Sequence, residues 1–142
     1  MTSTASTADW DPETTPAGHV SGSRTPGLIL RAEGALLLVS GVTAFAYLDF
    51  SWWLFAALLL APDVGLAGYL AGPRVGAASY NLTHTLVVPL GLGLAGLSIE
   101  ASTLMAIAAI WVAHIGMDRA AGFGLKYSTG FRDTHLQRVL QS

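Results

Sequence analysis

From residue 27 to residue 121 the chain is apolar almost without pause, and only three short breaks interrupt it. A helix that crosses a bilayer needs about 20 mainly apolar residues. Four such stretches fit, at 28–48, 50–71, 75–97 and 102–121, with breaks at 49–51, 72–74 and 98–101. Links this short force neighbouring helices to run antiparallel. The predicted fold is therefore all-α, a four-helix transmembrane bundle. Composition closes off the soluble alternative: 11% of residues are charged, where a soluble domain carries roughly 25%. A net charge of −2 with no basic face excludes nucleic acid as a partner. The lipid bilayer remains, in a multi-pass arrangement in the cell membrane. The absence of cysteine removes disulfides, thiolate metal sites and cysteine nucleophiles together.

The flanks differ from this transmembrane domain of residues 27–122. Residues 1–26 are rich in Ser, Thr, Gly, Pro and Ala, with Asp9, Asp11 and Glu13. They cannot bury enough apolar surface to offset ordering entropy and read as a disordered tail. Residues 123–142 mix aromatic, basic and glycine residues, the pattern of an interfacial segment that lies on the mouth of the bundle or folds back into it. Arg24, Arg31, Arg74, Arg119, Lys126, Arg132 and Arg138 all fall on one side of a four-span bundle. The breaks on the other side carry Asp49 and Glu100 and no basic residue. The excess of basic residues in cytoplasmic loops then puts both termini in the cytoplasm.

Ionisable groups inside a membrane cost roughly 2.5–3.5 kcal/mol each at a helix centre, so those that occur are functional candidates. Here they are Glu33, Asp63, His84, His114 and Asp118, with Asn81 as a neutral companion. His84 lies ten positions from Arg74, about 15 Å below that boundary at the α-helical rise. Asp63 lies eight positions before Ala71, about 12 Å by the same rise. Although the helices alternate in direction, every one of these groups falls in the cytoplasmic half. His114 and Asp118 are spaced i, i+4 and share a helix face, as do Asn81 and His84 at i, i+3. Pro62 removes a backbone donor and kinks the second helix just before Asp63.

Two imidazoles and two carboxylates suit a divalent ion such as zinc, with manganese or iron as further candidates. The candidate metal ligands are His84, His114, Asp118 and Asp63, with Asp63 and Asp118 as the catalytic carboxylates. Asn81, Arg119, Lys126, Tyr127 and His135 are the candidate substrate-binding residues. The same residues also admit plainer readings. His114 with Asp118 suits an interhelical hydrogen bond, His84 with Asn81 suits polar glue between helices, and Glu33 suits pairing with Arg31 or another basic residue. The glycines between Gly91 and Gly96 read as close helix packing.

Three groups of motifs carry a resemblance. The first is Ser51-Trp52-Trp53-Leu54-Phe55 with Ala61-Pro62-Asp63-Val64-Gly65 and Gly68-Tyr69-Leu70. The second is Val75-Gly76-Ala77 with Tyr80-Asn81-Leu82-Thr83-His84. The third is Ala113-His114-Ile115-Gly116-Met117-Asp118-Arg119, then Gly122-Phe123-Gly124-Leu125-Lys126-Tyr127 and Thr134-His135-Leu136. In this order they resemble the small bacterial integral membrane proteins of domain-of-unknown-function family 4260, over about residues 28–136. That family usually has proline after its Lys-Tyr pair, where this chain has Ser128. More loosely, the order Pro-Asp, His-Thr-Leu, His-x-x-x-Asp is similar to bacterial membrane-bound metal-dependent hydrolases. That similarity carries onto Asp63, onto His84 with Thr85, and onto His114 with Asp118. Those hydrolases have further histidines and aspartates near the first two motifs, and this chain has no histidine beside Asp63.

The residues thus point first to a metal-dependent hydrolase of a lipid or amphiphile. A carrier of a small molecule or of protons is the rival, and a structural membrane subunit the third reading. Four spans are few to enclose a site, which leaves a homo-oligomer open.

Overall fold

The computed structural model describes residues 25–129 together with Thr134, Leu136 and Val139. The tail at 1–24, His135 and the basic residues Arg24, Arg132 and Arg138 lie outside the described residues. The described chain is all-helical apart from one antiparallel bridge between Lys126 and Thr134. It runs as α1 (Thr25–Tyr47), α2 (Trp52–Leu58), a 3₁₀ helix (Ala61–Ala71), α3 (Pro73–His84), α4 (Val87–Ser98) and α5 (Ser102–Ala121). These segments make four legs: α1, then α2 with the 3₁₀ helix, then α3 with α4, then α5. Thr25–Tyr47, Trp52–Ala71 and Ser102–Ala121 are each long and apolar enough to cross a membrane.

The four expected stretches are present as helical legs, but two of them are not uninterrupted α-helix, and the third is not among those long and apolar enough to cross a membrane. In the second leg the α-helix stops at Leu58, and from Ala61 the chain winds as a 3₁₀ helix with Pro62 in its first turn. Proline has no N–H to give an i→i−4 bond, and the tighter winding continues to Ala71 where 3₁₀ runs are usually only three or four residues long. The third leg, expected as one helix over 75–97, breaks at Thr85, whose backbone is extended (φ −82°, ψ 140°). Pro89 explains the position: its ring would clash with the carbonyl four residues earlier, at Thr85. The indole N–H of Trp111 donates to the Thr83 carbonyl at 2.6 Å and so satisfies one group the break releases.

The interior is built from small residues and the outside from large apolar ones. Ala77, Ala106, Ala108, Ala109 and Ala113 are buried, whereas Leu70 is 93% and Val87 is 77% exposed. Helices that pack in lipid favour this arrangement, because small side chains let backbones approach. In α1, Gly27, Gly34 and Gly41 recur every seven residues and are all buried. A Cβ on Gly41 would stand 2.6 Å from the Ala109 carbonyl oxygen of α5, so only glycine permits this approach. Gly96 of α4 packs on Leu104 and Met105 of α5 in the same way, while Gly91 faces open space. At the turn between α1 and α2 the buried Phe45 ring meets Trp52 and Phe55 edge-on, with centroids 5.3 and 5.1 Å away.

Arg31 does not pair with Glu33. Its Nε donates to the Ala120 carbonyl at the end of α5, at 2.8 Å, where helix carbonyls lack partners of their own. Glu33 is exposed on α1 and takes no part in an ion pair among the described residues.

Candidate metal centre

The 3₁₀ winding decides which side chains of the second leg meet. With three residues per turn, positions i, i+3 and i+6 share a face. Gly65 and Gly68 turn toward α3, where the Ser79 hydroxyl donates to the Gly65 carbonyl at 2.6 Å. Val64, Ala67 and Leu70 form the exposed face, and Asp63, Leu66 and Tyr69 the half-buried one. On an α-helix Asp63 and Tyr69 would stand about 120° apart. The longer rise matters as well. Eight residues at about 2.0 Å put Asp63 about 16 Å from Ala71, level with the depth expected for His84.

Four side chains from three elements converge there. One ligand atom from each of Asp63, His84, His114 and Asp118 lies within 4.8 Å of all the others. The Nε2 atoms of His84 and His114 are 3.0 Å apart. His84 Nε2 is 3.4 Å from Asp63 Oδ1 and 3.4 Å from Asp118 Oδ2. The corresponding distances from His114 Nε2 are 3.6 and 4.0 Å. Four atoms each about 2.0–2.1 Å from a tetrahedral zinc would be about 3.3–3.4 Å from one another, close to these separations. Both imidazoles are buried, at 3% and 0% exposure, while the Asp63 side chain is 38% exposed and forms the open edge of the group.

The surroundings fit a ligand set. His84 Nδ1 lies 2.9 Å from the Tyr80 carbonyl oxygen. A proton on Nδ1 bonded to that carbonyl leaves the Nε2 lone pair aimed at the other three groups, the usual arrangement behind a metal-bound histidine. The Tyr80 hydroxyl donates to Asp118 Oδ2 at 3.0 Å, and its ring stacks on His84 at 3.7 Å between centroids. His114 Nδ1 has no hydrogen-bond partner among the described residues. With no ion between them, the two imidazoles can still form one hydrogen bond, from His114 Nε2–H to His84 Nε2.

Asn81 does something the sequence did not suggest. Its side-chain N–H donates to the Lys126 carbonyl at 2.9 Å, and its oxygen accepts from the Lys126 N–H at 2.7 Å. This pair of bonds fastens the segment after α5 across α3. The Lys126 ammonium then sits over the Tyr80 ring, 4.6 Å from its centroid. Burial pushes its pKa below the ordinary lysine value, while the Asp118 and Asp63 carboxylates pull it back up. Thr134 and Leu136 of the same segment are buried. Arg119 follows Asp118 on α5, and Tyr127 is largely exposed, outside the four-residue group.

Tyr80, Thr83 and Trp111 were not singled out for chemistry from the sequence. Tyr80 is four residues before His84 and Trp111 three before His114, so helical spacing from the two histidines would have flagged them.

A family model described as a domain of unknown function (DUF4260) matches residues 27–139. No curated protein and no solved structure matches the chain.

Proposed function

The chain belongs to the DUF4260 family, a domain of unknown function, and we propose that it is a membrane-bound metal-dependent hydrolase of a lipid or amphiphile. The observation that carries this reading is the meeting of four ligand atoms, two imidazole and two carboxylate, from three separate helical elements within 4.8 Å. The looser likeness to membrane-bound hydrolases rests on the motifs alone and agrees with it. With the basic end facing the cytoplasm, the site opens to the inner leaflet of the cell membrane.

His84, His114 and Asp118 would hold the ion, with Asp63 as the fourth group at the open edge. A divalent ion in this position supplies Lewis acidity and brings the pKa of a water toward about 7. Asp63, the most exposed of the four, accepts the proton of the attacking water. The water oxygen bonds to the acyl or phosphoryl centre of the substrate, the bond from that centre to the leaving oxygen breaks, and the proton passes through Asp63 to the leaving oxygen. Tyr80 fixes Asp118 through its hydroxyl and keeps that carboxylate in the ligand set. Lys126 and Arg119 at the mouth attract an anionic head group, with Tyr127 next to Lys126 in the chain. Asn81 contributes indirectly, by docking the Lys126 backbone.

Elemental analysis of the purified full chain tests the proposal. About one ion per chain is expected, falling to background in His114→Ala. No stoichiometric metal in either protein removes the hydrolase reading. One observation favours the structural alternative: the 3.0 Å His84–His114 contact closes the network without an ion. On that reading Asp63→Asn lowers stability and changes no metal content.

A further inference from the structure

A pocket of ≈ 170 Å³ adjoins the His–Asp group, lined by Leu58, Ala61, Pro62, Thr83, Ile107, Ile110 and Trp111. The hydroxyl of Thr83, one of its lining residues, lies 3.0 Å from His84 Nδ1. Pro62 immediately precedes Asp63, and Thr83 precedes His84. On α5, Ile107, Ile110, Trp111, His114 and Asp118 follow the i, i+3, i+4, i+7 spacing of a single helix stripe. Ile107 lies about 10 Å along the helix from His114, away from the basic end. The pocket therefore extends from the site along α5, in the direction in which lipid chains would lie.

Its lining is mostly apolar. The two polar groups among its lining residues are committed elsewhere: the Thr83 hydroxyl donates to the Tyr80 carbonyl at 3.0 Å, and the Trp111 indole to the Thr83 carbonyl at 2.6 Å. A predominantly apolar lining of this kind favours hydrocarbon over water or a polar ligand. Leu60 and Val64, beside the lining residues Ala61 and Pro62, are exposed apolar side chains. A bilayer chain can thus reach the pocket without crossing a polar rim.

We propose that this pocket receives one alkyl chain of an amphiphile whose hydrolysable head lies at the His–Asp group, an assignment that rests on the metal-centre reading above. It narrows the substrate class to molecules with a linear hydrocarbon chain attached directly to the scissile head.

The test uses the full chain with zinc in lipid nanodiscs, with Trp10, Trp52 and Trp53 replaced by Phe so that Trp111 is the fluorophore. The probe is an alkyl hydroxamate brominated in mid-chain, compared with the methyl ester of the same bromoalkyl acid and with acetohydroxamate. Saturable quenching of Trp111 by the hydroxamate and none by the ester is expected. Ala61→Phe, at an exposed position that the fold does not need to be small, should weaken the bromoalkyl hydroxamate at least tenfold. It should leave zinc content and acetohydroxamate affinity unchanged. Ile107→Phe on the facing wall repeats the test should Ala61→Phe not fold. Equal quenching by ester and hydroxamate overturns the proposal, since it shows only bulk lipid at the indole. Unchanged hydroxamate affinity in the filled variants, with zinc bound, also overturns it while leaving the metal centre standing. Absence of zinc in the parent protein overturns both.

Discussion

Tyr80→Phe isolates a single bond of the proposed centre. The Tyr80 hydroxyl donates to Asp118 Oδ2 at 3.0 Å, and the ring stacks on His84 with an interplanar angle of 15°. Phenylalanine keeps the stacked ring, and the Tyr80 carbonyl that orients His84 belongs to the backbone. Only the hydroxyl is lost. Hydrogen bonds to a charged group contribute about 1.5–3 kcal/mol. Removing such a partner behind a metal ligand typically costs 10–100-fold in metal affinity, about 1.4–2.7 kcal/mol by RT ln K. The two figures agree, so zinc affinity should fall by one to two orders of magnitude with stoichiometry unchanged. Competition against a chromophoric chelator in detergent measures it. A change of less than twofold, with zinc bound in both proteins, would show that Asp118 is not a ligand held by Tyr80.

Three further outcomes follow from the packing. Gly41→Val forces a side chain against Ala109 and Ala113 of α5; overpacking of this kind costs about 1–3 kcal/mol, read as a lowered unfolding midpoint in detergent, and an unchanged midpoint would contradict the close α1–α5 approach. Asn81→Ala removes both bonds to the Lys126 backbone, at about 0.5–1.5 kcal/mol each. Limited tryptic cleavage at Lys126 should then accelerate several-fold with the α-helical core intact, and an unchanged cleavage rate would show that the segment is held by other contacts. Trp111→Phe strands the partly buried Thr83 carbonyl at the break in the third leg, a loss of about 0.5–1.5 kcal/mol for one hydrogen bond. Thermal unfolding followed by circular dichroism checks this, and a Tm equal to the parent's would mean another group takes up that carbonyl.

Much of this was legible in the chain. Long apolar runs and short breaks define the four legs because a bilayer imposes both length and polarity on whatever crosses it. Membrane cost likewise singled out Asp63, His84, His114 and Asp118. What periodicity could not supply was the departure from α geometry. A reading at 3.6 residues per turn puts Asp63 about 12 Å below Ala71 and about 120° around the helix from Tyr69. The 3₁₀ helix lowers it by about 4 Å and turns the two onto one face. Nor does Pro89 look like the cause of a break at Thr85 until its clash is counted back four residues. The bonds of Asn81 to the Lys126 backbone were illegible for another reason: a side-chain amide suits a ligand and a backbone equally well, and only the path of the segment after α5 brings that backbone to it.

The two irregular stretches and the polar group belong together. In lipid, backbone that leaves the α-helix is tolerated only where protein or a cavity takes up its unpaired groups. The second and third legs depart from α-helix beside a site residue: Asp63 follows Pro62, and His84 ends α3 just before Thr85. Each departure is satisfied from within, the Thr83 carbonyl by Trp111 and the Gly65 carbonyl by Ser79. Two unbroken α-helices would be simpler to insert and to satisfy, and would turn Asp63 away from Tyr69 and carry the third leg straight past His84. The prolines that forbid them therefore act on the site: Pro62 sets the winding that turns Asp63 inward, and Pro89 ends α3 at His84. Restoring the helix at either proline should damage ion binding more than it damages the fold. Pro62→Ala is the direct case, with a zinc affinity reduced at least tenfold and an unfolding midpoint equal to or above that of the parent; a variant that bound zinc unchanged would separate the winding from the site.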